Sequence, residues 1–223
     1  MRSTSLTTIA RENKVFLISY LTLAALGIYP LLAWDKVTLL LMINSHHHPI
    51  LDQLFYYITH LGNGITYALL LFSLMLLKVT NRKLLIGGIS FVVMSVIVQF
   101  LKRIAFPDQL RPIQLVPDPM QLHLLDDVTI LAQLSFPSGH AATVFTAACL
   151  LNLISPAKNS LYSLFLILIA IIVAYSRVYL CQHFYTDVYT GMLIGGLVPI
   201  FVYAWFINWH VPAWLAHKLP VKI

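Results

Sequence analysis

Six stretches of this chain, at about residues 15–34, 64–78, 84–101, 141–155, 160–176 and 188–207, run almost free of charge. A soluble fold of 223 residues needs far less apolar sequence than this to close a core. About 20 helical residues cross the hydrocarbon of a bilayer while satisfying their own backbone hydrogen bonds. The pattern therefore predicts an all-α polytopic membrane protein with six transmembrane helices. Composition agrees, with 59% hydrophobic residues and a mean hydropathy of +0.83. The first stretch follows Arg2, Arg11 and Lys14 as a signal peptide would, but it is long for one and lacks a small-residue cleavage site, so it is read as an uncleaved anchor.

In a soluble protein a net charge of +6 would raise nucleic acid as a partner. Here the positive-inside rule accounts for the charge, and no nucleic-acid partner is expected. With a cytoplasmic N-terminus, the inner segments hold Arg2, Arg11, Lys14, Lys78, Arg82, Lys83, Lys158, Lys218 and Lys222. The outer ones hold Lys36, Lys102, Arg103, Arg111 and Arg177. The expected location is a bacterial inner membrane, with both termini cytoplasmic and the outer cations in the periplasm. These outer cations break the charge bias and call for another reason.

No repeat or second domain is evident, so residues 1–223 read as a single domain. Interfacial helices are expected in the outer loops. One starts at Pro49, carries Leu51, Leu54, Phe55 and Ile58 on one stripe, and ends near Gly62 and Gly64. A second is expected from Pro119, capped by Asp118, with Leu124, Leu125, Val128 and Leu131 toward the lipid. The run His46, His47, His48 splays around any regular element, which favours a solvated loop over a metal site. Cys149 and Cys181 fall at different depths and read as packing residues.

Three strings carry polar groups that a membrane core does not hold without a reason: "LKRIAFPDQLRP" (101–112), "FPSGH" (136–140) and "SRVYLCQHFYTD" (176–187). Each borders an expected span on the same outer side. His183 and Asp187 are four apart, so on a helix the carboxylate reaches one ring nitrogen and leaves the other as a base or nucleophile. Ser138 and Gly139 open an apolar helix whose N-terminal N–H groups suit an anion, with His140 beside them as a proton donor. Lys102, Arg111 and Arg177 add positive charge, and arginine's planar fork matches phosphate oxygens in pairs. Two histidines and an aspartate could ligate zinc, but three neighbouring cations would repel it, so a metal-free anion site is expected.

These strings resemble the signature of the type 2 phosphatidic acid phosphatase superfamily: Lys, six residues, Arg-Pro; Pro-Ser-Gly-His; Ser-Arg, five residues, His, three residues, Asp. The second and third match at every fixed position, as Pro137, Ser138, Gly139, His140 and as Ser176, Arg177, His183, Asp187. The first departs: Arg111 and Pro112 match, but Ile104 stands where the lysine belongs. Lys102, reaching back, is taken as the substitute, with Arg103 as the alternative.

The resemblance implies a metal-independent phosphatase, without cofactor, working through a phosphohistidine. His183 would attack phosphorus, Asp187 would orient it, and His140 would protonate the departing oxygen and later activate water. Lys102, Arg111, Ser138, Gly139 and Arg177 would hold the phosphoryl oxygens. Because His183 must be neutral while His140 is protonated, a bell-shaped pH dependence is expected. The expected partners are membrane lipids and a lipid phosphate substrate: undecaprenyl pyrophosphate, a phosphatidate-type lipid or a lipid A phosphate. A phosphotransferase would share the covalent step. Haloperoxidases of the superfamily hold vanadate in such a site, though six apolar spans fit them less well. A non-catalytic anion carrier is the remaining alternative.

Overall fold

A computed structural model describes residues 6–156 and 159–207, so Arg2, Lys158, Lys218 and Lys222 lie outside the described residues. Among those described there are eleven α-helices and no strand. They are α1 (Leu6–Glu12), α2 (Lys14–Leu26), α3 (Ile28–Ala33), α4 (Lys36–Asn44), α5 (Pro49–Ile58), α6 (Gly64–Leu76), α7 (Asn81–Phe100), α8 (Pro112–Leu115), α9 (Gly139–Ile154), α10 (Ser160–Tyr179) and α11 (Tyr185–Ile207). Their starts follow local chemistry. Asp35 Oδ1 accepts from the N–H groups of Val37 and Thr38, both at 3.0 Å, to cap α4, and Asn159 Oδ1 caps α10 through Leu161 N at 2.8 Å. Pro49 occupies the first turn of α5, where its missing N–H costs nothing.

Every stretch expected to span is helical, but six crossings are not met by length. Among the described residues four segments are long and apolar enough: Lys14–Ala33, Asn81–Ala105, Ser160–Tyr179 and Tyr185–Phe206. A fifth arises if Pro49–Gly62 and Gly64–Leu76 form one span bent by 62°. The extended backbone of Asn63 breaks the helix there. α9 has 16 residues.

α9 is the centre of the bundle, packed by α11, α10, α7 and α6. Its buried residues fall on all its faces, as its uniformly apolar sequence requires. α11 lies against it closely enough to exclude a side chain at two places. A β-carbon on Gly191 would stand 2.4 Å from the Ser138 carbonyl oxygen, and one on Gly195 would stand 2.3 Å from that of Ala142. The glycine step in the last span is thus a packing device that fixes Ser138 against α11, where its N–H donates to the Asp187 carbonyl at 2.9 Å.

The two ends of the bundle differ in charge and role. At one end, Lys83 Nζ donates to the Ile154 carbonyl (2.7 Å) and Arg82 Nε to that of Phe206 (3.1 Å), so two cations sit on the C-terminal ends of α9 and α11. Asn152 Nδ2 reaches Asn13 Oδ1 there at 2.9 Å. All three polar strings lie at the opposite end, joined by the long loop that follows α7.

That loop corrects the expectation of a second interfacial helix. Asp118 does cap a turn, accepting from Met120 N at 3.0 Å, but the turn is a single 3₁₀ segment, Pro119–Gln121. Beyond it the backbone is irregular because its polar groups are claimed by other elements. His123 N donates to Asn44 Oδ1 at 2.8 Å, and the His123 carbonyl accepts from Asn44 Nδ2 at 2.9 Å. His123 Nε2 meets Asp52 Oδ2 at 3.0 Å, and Leu122 is buried. The helix expected from Pro49 forms, as α5, except that Leu54 is exposed while Phe55 is buried. His46, His47 and His48 lie in an exposed loop with separate partners: Met42 O, the His123 ring and Ile50 N. Cys149 and Cys181 are free and buried.

Candidate active site

The three strings converge. Lys102, Arg111, Gly139, His140, Arg177 and His183 line one cavity of about 550 Å³, and Ser138 and Asp187 stand directly behind its wall.

His183 sits between α10 and α11. α10 ends at Tyr179 with Leu180 as its cap, and Cys181 then takes a left-handed conformation (φ 54°), rare for a residue with a side chain. The reversal folds the chain back so that the N–H groups of Gln182 and His183 both donate to the Arg177 carbonyl, at 2.9 and 3.1 Å. The imidazole lands with Nδ1 3.4 Å from Asp187 Oδ2 and Nε2 3.5 Å from Arg111 Nη1. A guanidinium only donates, so Nε2 carries the lone pair and Nδ1 the proton that Asp187 accepts. Burial, reinforced by Arg111 and Arg177 against the opposing pull of Asp187, pushes the His183 pKa down to about 3. The ring is therefore neutral, with its Nε2 lone pair beside Arg111, and His183 lines the cavity.

Asp187 is held on more than one side. Its Oδ2 accepts from Ser135 Oγ at 2.5 Å and from Phe184 N at 3.0 Å. Ser135 also lies 3.5 Å from His183 Nδ1. Across the cavity, His140 begins α9 on the turn capped by Ser138, whose Oγ accepts from Ala141 N at 3.4 Å. Gly62 is pressed on its backbone: a β-carbon there would come within 2.9 Å of the His140 Cβ.

The cations are fixed by backbone and amide oxygens. Arg111 donates from Nη1 to the Gln182 carbonyl (2.7 Å) and from Nε to that of Gln133 (3.0 Å). Arg177 donates from Nη1 to Thr59 Oγ1 (2.6 Å), while its buried Nε has no partner. Both guanidinium groups come within 3.5 Å of Gln182 Oε1.

Lys102 and Arg103 both line the cavity but differ in burial and partners. α7 runs on into a π turn, Leu101–Ala105, closed by Phe106 N to Leu101 O at 2.8 Å. On it Lys102 is buried and donates to the Leu134 carbonyl at 2.6 Å, whereas Arg103 is exposed at the mouth and donates from Nε to Gln99 Oε1 at 2.9 Å. Leu134 is itself left-handed (φ 55°).

Sequence reasoning missed Ser135, Thr59 and Gln182. Ser135 adjoins the second string and Gln182 lies inside the third at a variable position. Thr59 sits in the 3₁₀ turn after α5, where nothing local marks it.

The PAP2 superfamily profile matches residues 83–210. An undecaprenyl-diphosphatase of Sulfolobus acidocaldarius is 31% identical over 73% of this chain and 74% of its own length. A lipid A 4'-phosphatase of Porphyromonas gingivalis is 30% identical over 74% and 70%. The crystal structure of LpxE from Aquifex aeolicus superposes with a TM-score of 0.63 at 32% identity, covering 76% of this chain and 96% of that one. With the profile spanning more than half of the sequence and these relatives about three quarters of it, the chain belongs to the PAP2 superfamily.

Proposed function

We propose that this protein removes a phosphate from a lipid phosphate or pyrophosphate at the outer face of the membrane, without metal, through a phosphohistidine on His183. That it is a lipid phosphatase follows from its family and curated relatives; the route is inferred from the geometry. The observation that carries it is His183: a neutral, buried ring whose Nε2 lone pair lies beside Arg111, on a cavity lined by the four cations Lys102, Arg103, Arg111 and Arg177.

In this reading Lys102, Arg111 and Arg177, with the Ser138 hydroxyl and the Gly139 N–H at the start of α9, bind the phosphoryl oxygens and stabilise charge in the transition state. Nε2 attacks phosphorus in line, and Asp187 accepts the Nδ1 hydrogen bond as the ring becomes positive. His140 protonates the departing lipid oxygen and then draws a proton from water, which attacks the phosphohistidine and releases phosphate. Undecaprenyl pyrophosphate, a lipid A phosphate and a phosphatidate-type lipid all present such a group.

The cations that sit on helix ends opposite the cavity support a cytoplasmic location for that end, hence cytoplasmic termini, an outward site and a bacterial inner membrane. Six crossings, with α9 as a short fourth one, fit the same arrangement.

The test is hydrolysis of a long-chain lipid phosphate by the purified protein with chelator present. Wild type turns over and His183→Ala does not; undiminished turnover in the variant rejects the reading.

A further inference from the structure

Arg103 is left without a role by the reading above, yet it is not an ordinary boundary arginine. Long basic side chains at helix ends generally extend toward headgroups along the lipid face. Arg103 instead lines the catalytic cavity, and so does Gln99, one helical turn before it. Their hydrogen bond uses Arg103 Nε and Gln99 Oε1 at 2.9 Å. That geometry leaves the two terminal nitrogens of the guanidinium and the Gln99 amide N–H₂ to face an incoming group, all of them donors.

The place of this pair in the cavity gives it meaning. Gln99 and His140 together also line a second, adjoining cavity of about 240 Å³, which continues between α6, α7 and α9 past Gly64, Phe91 and Met94. Gln99 therefore stands where the two cavities meet, beside His140, and holds Arg103 on α7's extension, a different element from the Gln182 turn that Arg111 and Arg177 share. An alcohol leaving group has no use for an arginine there; a phosphate does.

We propose that Arg103 and Gln99 form a second anion subsite, which holds the phosphate that stays on the lipid, so that lipid diphosphates are preferred over lipid monophosphates. The inference rests on the phosphohistidine reading above. His183 Nε2 forms a bond to the terminal phosphorus as the bond from that phosphorus to the bridging oxygen breaks. The electron pair remains on the bridging oxygen, which leaves as part of a phosphate monoester. That monoester has a second pKa of about 6, so it carries the charge without first taking a proton. Arg103 would pair with this growing charge two oxygens at a time.

The experiment compares farnesyl diphosphate and farnesyl monophosphate, which share one chain, on the full-length protein in detergent. The wild-type kcat/KM ratio should favour the diphosphate by about tenfold or more. A charge-assisted hydrogen bond of about 1.5–3 kcal/mol corresponds to roughly a 10- to 100-fold effect, so Arg103→Gln should collapse the ratio by at least tenfold. Arg103→Lys should restore part of it, and Gln99→Glu, which would neutralise the arginine, should lower it again. A ratio that Arg103→Gln leaves unaltered, or a wild-type preference for the monophosphate, overturns the proposal. His183→Ala serves as the separate arm: if it still hydrolyses either substrate, the phosphohistidine reading itself falls, whatever the ratio does.

Discussion

Ser135 donates a 2.5 Å hydrogen bond to Asp187, a residue 52 positions away, on the same carboxylate oxygen that faces the His183 ring. The serine thereby sets the rotation of the carboxylate, and with it the ring nitrogen that stays free. Removing the hydroxyl in Ser135→Ala should lower kcat by about 10- to 100-fold, the scale of a hydrogen bond to a charged group, with KM little changed. Ser135→Thr, which keeps the donor, should recover most of the loss. A KM effect without a kcat effect would mean that Ser135 serves binding instead.

His140 is assigned to both halves of the reaction, and the halves can be separated. With a p-nitrophenyl phosphate, whose leaving group needs no proton, His140→Ala should still phosphorylate His183 but release phosphate more slowly, by about 10²- to 10⁴-fold. Acid-labile, base-stable labelled protein should then accumulate in a quenched reaction. Absence of label, with turnover equally impaired, would assign His140 to the first step alone.

Burial of His183 links stability to pH. Its folded pKa of about 3 lies below the ordinary value of 6.5, so below pH 6.5 the unfolded chain binds a proton that the folded one refuses. Stability from this group is complete above pH 6.5 and declines as pH falls toward 3, by up to about 1.4 kcal/mol per pH unit. Thermal unfolding in detergent at pH 7.5 and 4.5 should show the decline, and His183→Gln should reduce it. The same shift moves the acid limb of single-turnover attack well below 6.5, toward the low end of the bell-shaped profile.

Gly195 is predicted to be intolerant. Its α-hydrogen faces the Ala142 carbonyl, and a methyl there would sit 2.3 Å from that oxygen, so Gly195→Ala must push α9 and α11 apart. Overpacking of this kind costs about 1–3 kcal/mol, and the shift also separates Ser138 from Asp187. Gly88→Ala is the control, because nothing lies within 4 Å of a β-carbon at that position. Equal unfolding midpoints for the two variants would refute the close approach.

Much of this was legible from the chain because apolar runs and fixed motif spacings are local signals. The helical class, the placement of all six apolar stretches in helices and the gathering of Lys102, Arg111, His140, Arg177 and His183 around one space follow from them. What was not legible is set by tertiary contacts. Leu124, Leu125 and Val128 have helical spacing, but Asn44 and Asp52 capture the backbone and ring of His123 and hold the loop irregular. Thr59, in the 3₁₀ turn after α5, meets Arg177 across 118 positions of sequence, and no pattern near Thr59 announces it. The register of Lys102 depended on a π turn, which sequence spacing alone does not reveal.

If α9 is the short fourth crossing proposed above, its brevity determines how deep the candidate site lies. At about 1.5 Å per residue its 16 residues rise roughly 24 Å, against some 30 Å of hydrocarbon. On the proposed reading of α9 as a short fourth crossing whose Lys83 end lies at the water boundary, its beginning at Gly139 falls several ångströms beneath the opposite headgroups. A phosphorylated head must then sink toward the floor of the cavity, or the leaflet must dimple around the protein to meet it. Bilayers with thicker acyl regions should accordingly slow turnover through substrate capture while leaving the chemical step untouched.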